Sequence, residues 1–221
     1  MSKSIIIFGK GPSLERCTKE FADQYDDIAI CNYPYVNELF NSFIKDKKIK
    51  YHFANCGTFD ERYTDQMNTL LKVEGIYNTN KKSAIKYKQF LNNKMIFKEN
   101  IREAQVEYFK QFNLDPNTGT MALQYILDTN QYNKIALVGF DNFKKGDQKY
   151  YYQPKHYNNK IFYLINQNVV TKKGIYNQIS LHSPIQTKKY YEHVFSHYSN
   201  IQFNCISNIN FDLDYNNVSI N

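Results

Sequence analysis

The chain has 221 residues, 42% of them hydrophobic, with 20 tyrosines, 16 phenylalanines, no tryptophan and a formal charge of +7. That length suits one α/β domain with a sizeable insertion, and the aromatic side chains supply the buried area that a core needs. The lysines come in separated pairs (Lys47–Lys48, Lys81–Lys82, Lys144–Lys145, Lys172–Lys173, Lys188–Lys189). The basic excess could serve nucleic acid, an anionic membrane surface or a negatively charged small molecule, but without a long basic run a solvated lysine-rich surface is the default reading and nucleic acid is not expected.

Ile5-Ile6-Ile7-Phe8-Gly9-Lys10-Gly11-Pro12-Ser13-Leu14 is an apolar, β-branched run stopped by glycines, the pattern of a buried strand ending in a tight turn. Proline and serine then open a helix expected from about Ser13 to Tyr25. Strand, glycine turn and helix start is an arrangement that aims backbone N–H groups at an anion. A nucleotide phosphate or ribose near Gly9–Ser13 is the favoured occupant, and an ordinary βα turn without a ligand is the plain alternative. Leu14 stands where a third glycine would complete a dinucleotide fingerprint, so that fingerprint is not expected.

Further along, Ile28–Cys31 reads as a strand ending at Asn32, and Val36–Phe43 has helical spacing. Tyr51–Ala54 is a third strand opening into Asn55, and Asp60 is placed to cap a helix through about Leu71. Gly75–Thr79 reads as a further strand, Ser83–Leu91 as a helix, Met95–Phe97 as a short strand and Ile101–Phe112 as a helix. A turn-rich loop, Asp115–Thr120, feeds a helix over Met121–Leu127. Ile135–Val138 is a strand running out into Gly139-Phe140-Asp141. Strands alternating with helices predict an α/β fold, a single Rossmann-like and mostly parallel sheet with helices on both faces. The polar clusters fall at strand ends or helix starts, so sequence-distant residues are expected to converge on the carboxyl edge of the sheet, where ligands bind in such folds.

From Asn142 to about Ser180 the periodicity fails. This segment, with Lys144-Lys145-Gly146 and Tyr150-Tyr151-Tyr152, reads as a lid over the site, with a plain insertion as the alternative. A helix over Pro184–Tyr198, a strand over Ile201–Cys205 and a polar, asparagine-rich tail complete one domain spanning residues 1–221. Cys17, Cys31, Cys56 and Cys205 lack C-x-x-C spacing and read as free thiols of a reducing compartment. The start enters a strand at once, without a signal peptide, and no segment is apolar for long enough to cross a bilayer. A cytoplasmic location is therefore expected, with at most peripheral membrane contact.

Among candidate chemical groups, His182 lies where the lid rejoins the body just before a helix. There an imidazole can reach the mouth of the site and take a proton near neutral pH. His193 and His197 stand four apart, a spacing that can grip a metal, but they read more simply as surface residues near a helix C-terminus. His52 lies in a strand and reads as structural, and His156 as lid surface or a substrate contact. Asp212-Leu213-Asp214 could hold a divalent ion, although short acidic pairs are common.

Taken together, these residues resemble the bacterial sialyltransferases of glycosyltransferase family 42. The resemblance rests on Gly9-x-Gly11-Pro12-Ser13-Leu14 after the first strand, Cys31-Asn32 after the second and Asn55 after the third. It continues through Thr118-Gly119 before a helix, Gly139-x-Asp141 ending a strand, and a long lid closed by His182-Ser183. The resemblance implies a GT-A-like variant of the fold and an inverting, metal-independent transfer of sialic acid or a related acid sugar. The donor would be a CMP-linked sugar, the acceptor a glycan hydroxyl, with no other cofactor, no obligatory metal and a homo-oligomeric assembly.

By the same resemblance His182 is the general base. Gly9, Lys10, Gly11 and Ser13 form the nucleotide turn, and Asn32 and Asn55 contact phosphate and ribose. Asn117, Thr118 and Gly119 hold the sugar and its carboxylate, Gly139, Phe140 and Asp141 border the cytosine, and Tyr150 donates to the phosphate. Lys10 replaces the family's asparagine, Phe143 replaces a lid tyrosine, and Leu114-Asp115-Pro116 stands where an arginine is expected. A glycosyltransferase using another nucleotide sugar, or an impaired homologue that only binds nucleotide or glycan, are the alternatives.

Overall fold

The computed structural model describes residues 3–9, 11–31, 43, 47, 49–54, 76–78, 97–141, 184–207, 209 and 215–221. Among these, eight strands form one all-parallel sheet: β1 (Lys3–Phe8), β2 (Asp27–Cys31), β3 (Ile49–Ala54), β4 (Ile76–Asn78), β5 (Phe97–Asn100), β6 (Tyr132–Val138), β7 (Gln202–Ile206) and β8 (Val218–Ile220). Their order is β5-β4-β3-β2-β1-β6-β7-β8. The chain builds outward from β1 to β5 on one side, then returns to pair β6 on the other side of β1. Register is held by Ile7 opposite Ala29 on β2 and Leu137 on β6. The reversal of strand order between β1 and β6 is a topological switch point, the place where open α/β sheets carry ligands.

The apolar run of β1 is uninterrupted because both faces of the strand are covered. Ile5 and Ile7 pack with α2 (Ile101–Lys110), α3 (Thr118–Asp128) and α4 (Pro184–His197) in one core cluster. On the opposite face Phe8 stacks on Phe43, ring centroids 5.7 Å apart. Tyr25 also lies there, its hydroxyl accepting from Asn204 Nδ2 at 2.6 Å. The expected α/β, Rossmann-like fold is the fold observed. Tyr51 and Phe53 of β3 both set their rings against Tyr125 of α3, so aromatic side chains replace much of the aliphatic filling between sheet and helices.

Several boundaries differ from the sequence expectation. The helix expected over Ser13–Tyr25 is broken into a 3-10 turn, Pro12–Arg16, and a short α1, Lys19–Ala22. Thr18 causes the break, since its hydroxyl accepts the Phe21 N–H at 3.2 Å and restarts the helix. Lys47 closes the far end, donating to the carbonyls of Ala22 and Tyr25 at 2.8 and 3.2 Å. The strand expected at Met95–Phe97 is displaced to Phe97–Asn100. The loop expected through Thr120 ends sooner, because Asn117 caps α3 and Thr118–Thr120 form its first turn. The tail carries β8, where a polar coil was expected.

The helices expected at 60–71 and 83–91 and the lid at 142–180 lie outside the described residues, as does all but Phe43 of the helix expected at 36–43. At the amino edge of the sheet the strands are tied by an ion pair, Lys50 Nζ to Asp27 Oδ2 at 2.8 Å, with Tyr132 donating to the same carboxylate at 2.6 Å. The glycine turns lie at the opposite, carboxyl edge.

Candidate functional site at the β1/β6 crevice

The turn after β1 and the turn after β6 are locked together by the backbone. Gly9 N–H donates to Val138 O at 2.7 Å, and Gly11 N–H donates to Gly139 O at 2.8 Å. Gly139 has φ +75°, a left-handed conformation that requires glycine, and its own N–H donates to Ile206 O at 3.1 Å. The approach leaves no room for side chains. A Cβ on Gly11 would stand 2.7 Å from Gly139 O and would collide with Asp141 Oδ2.

Asp141 reaches back to the first turn, accepting the Ser13 N–H at 2.7 Å, while Ser13 Oγ donates to Ile206 O at 2.9 Å. The donors of this turn are thus committed: Gly9, Gly11 and Ser13 as above, and Leu14 to Gly11 O at 3.1 Å. The 3-10 helix that follows is five residues long. All four of these amides are therefore bonded within the chain and are not left over for an anion.

The third segment arrives through Phe140. Its ring, 7% exposed, lies between the β1 turn and the start of α3. A Cβ on Gly9 would be 3.2 Å from Phe140 Cδ2, and one on Gly119 would be 2.8 Å from Phe140 Cε1. Asn117 caps α3 by accepting the Thr120 N–H at 3.0 Å, which presents the N-terminus of an eleven-residue helix to the rim. An anion is favoured at such an end.

Gly9, Gly11, Ser13, Asn117, Thr118, Gly119, Gly139, Phe140 and Asp141 are therefore brought to one rim from segments far apart in sequence. Lys10, Asn32, Asn55, Tyr150 and His182 lie outside the described residues, as do His156, Cys56 and the Asp212–Asp214 pair. His52 is buried in β3, in keeping with a structural residue. His193 and His197 stack, centroids 5.3 Å apart, with the His193 ring edge-on to Phe112. Burial and then the His197 charge lower the His193 pKa. Among the described residues no group of three His, Cys, Asp or Glu side chains is placed to hold a metal ion. Cys17, Cys31 and Cys205 are buried and are not joined in disulfides.

Two contributors beneath the rim escaped the sequence reading. Ser207, just past β7, donates to Phe140 O at 2.7 Å and accepts the Ile209 N–H at 3.1 Å. It follows a strand, as the other polar clusters do, and that was the available signal. Tyr191 on α4 is fully buried, and burial holds its phenol protonated well above the ordinary tyrosine range, with Cys205, Cys31 and Asp141 adding to the effect. Nothing in its sequence position marks it out from the other tyrosines.

Fold and rim together define a Rossmann-like α/β protein whose strand-end turns meet at the β1/β6 switch point. No protein-family model matches the chain, and no curated protein matches its sequence. Among the described residues, no helix is long and apolar enough to cross a membrane.

Proposed function

We propose that the chain is an inverting, metal-independent glycosyltransferase of the sialyltransferase type. It moves sialic acid or a related acid sugar from a CMP donor to a glycan hydroxyl, with His182 as general base. The observation that carries this reading is the convergence of Gly9–Ser13, Asn117–Gly119 and Gly139–Asp141 on one rim at the switch point of a parallel sheet. These are the segments that the family resemblance assigns to nucleotide and sugar.

The chemistry suits such a rim. Breaking the bond between the sugar and CMP releases a phosphate monoester of about two negative charges, which preorganised donors must meet. The β1 turn is spent on its own contacts, so this role falls to Lys10, Asn32, Asn55 and Tyr150. The N-terminus of α3 suits the sugar carboxylate, because the helix dipole favours an anion there. Helix α4 begins at Pro184, just after His182. An imidazole from this junction can take the acceptor proton as the new glycosidic bond forms.

A calorimetric screen of CMP, UMP, UDP and GDP, each with and without a divalent ion, tests the reading. CMP binding that needs no metal is expected, with His182→Ala retaining CMP but losing transfer. Preference for a nucleoside diphosphate overturns it.

A further inference from the structure

The carboxyl end of β6 and the turn after β1 are separated by more than a hundred residues, and one side chain adds to the two backbone bonds between them. Asp141 is 8% exposed and accepts the Ser13 N–H at 2.7 Å, a contact across 128 positions of sequence. The residue that precedes the 3-10 turn is Gly11, which has no side chain to cap it. Asp141 therefore supplies the cap from another strand, and Gly11 leaves room for it, since any Cβ there would displace the carboxylate. The backbone that leads to Asp141 is held from behind as well. Ser207 Oγ binds Phe140 O at 2.7 Å, and Gly139 N–H binds Ile206 O at 3.1 Å.

We propose that Asp141 is a positioning residue that, beside the two backbone bonds, fixes the orientation of the β1 turn against the end of β6 by holding the Ser13 amide. Its effect on a bound nucleotide runs through the turn that it orients. A carboxylate in that seat also keeps a phosphate out of it, because like charges repel across a short, poorly hydrated gap. The nucleotide enters with its phosphate to one side of the turn. The identity of the ligand rests on the proposed function, whereas the tie itself does not.

The test compares the full chain with Asp141→Ala and Asp141→Asn. Hydrogen exchange over residues 11–17 is measured without ligand, and CMP affinity is measured by calorimetry. Asp141→Ala is expected to speed exchange over 11–17 about tenfold, leave β3 unchanged and weaken CMP about tenfold. Asp141→Asn keeps an oxygen that can accept the same N–H, so it restores slow exchange and recovers most of the affinity.

Unchanged exchange in Asp141→Ala overturns the proposal. So does an Asp141→Asn chain that exchanges slowly yet binds CMP as poorly as Asp141→Ala, since that result makes the charge the contributor. If the unaltered chain binds no CMP, the nucleotide reading fails and the exchange comparison alone decides the tie. Should Asp141→Ala not fold, Asp141→Leu keeps the volume without the acceptor and gives the same comparison.

Discussion

Phe140 and Gly119 meet so closely that a methyl group on the glycine would stand 2.8 Å from Phe140 Cε1. The same ring faces Gly9 on its other side, where a Cβ would be 3.2 Å from Cδ2. One aromatic side chain thus spaces the β1 turn from the first turn of α3; the ring excludes a side chain at residue 119, whereas at residue 9 the Gly139 carbonyl excludes it first.

Gly119→Ala should destabilise the chain although alanine is the better helix former. The helix preference is worth at most about 1 kcal/mol, whereas overpacking a buried ring costs about 1–3 kcal/mol. A net loss of about 1 kcal/mol is expected in urea denaturation. Adding Phe140→Leu should recover part of the loss. A more stable Gly119→Ala chain would mean that the ring has freedom to move.

Asn117 is a helix cap whatever else it contacts. Asn117→Ala should cost about 1 kcal/mol, and Asn117→Ser should keep most of the stability, because a hydroxyl can accept the Thr120 N–H. Equal losses in the two variants, measured by chemical denaturation, would remove the capping role.

Cys205 gives the chain an alkaline weakness. Burial pushes its thiol up to about 12, while an unfolded chain ionises the same group near pH 9. The unfolded state then binds fewer protons as the pH rises, so this contribution is complete below about pH 9 and is lost toward pH 12. The slope for one such group is about 1.4 kcal/mol per pH unit. Cys205→Ala should lower stability at pH 8 by leaving a small cavity, yet flatten the fall between pH 9 and 10.5. An unaltered slope would contradict this.

The stacked pair on α4 has a separate signature. Burial first, and the His197 charge second, lower the pKa of His193. His197→Ala should therefore raise the His193 midpoint, read by proton NMR, without bringing it fully to that of an exposed histidine. A midpoint that falls, or does not move, would show that His197 has no influence on it.

How much of this was legible in the sequence follows from where the information lies. β1, β2 and β6 were readable because burial on both faces demands unbroken apolar runs such as Ile5-Ile6-Ile7-Phe8. β8 was not, since Val218-Ser219-Ile220 is a short, half-exposed edge strand with no run of its own. It is held by Phe203 donating to Asn217 O at 2.8 Å and by the Asn217 side chain donating to the carbonyls of Phe195 and Ile201, both at 3.1 Å. The early start of α3 was written in Asn117, a cap residue ahead of a helical run, and was obscured by Pro116 and Gly119. That strand ends would converge could be argued from topology. That the Ser13 amide would face Asp141 and no ligand depends on tertiary register, which no local pattern encodes.

The nucleotide site proposed at the β1/β6 switch point is tested most directly by titrating CMP into the chain labelled with 15N only at glycine. The amide signals of Gly9, Gly11, Gly119 and Gly139 should shift together with one dissociation constant. Saturable CMP binding that leaves those four signals in place would put the nucleotide elsewhere and contradict the account.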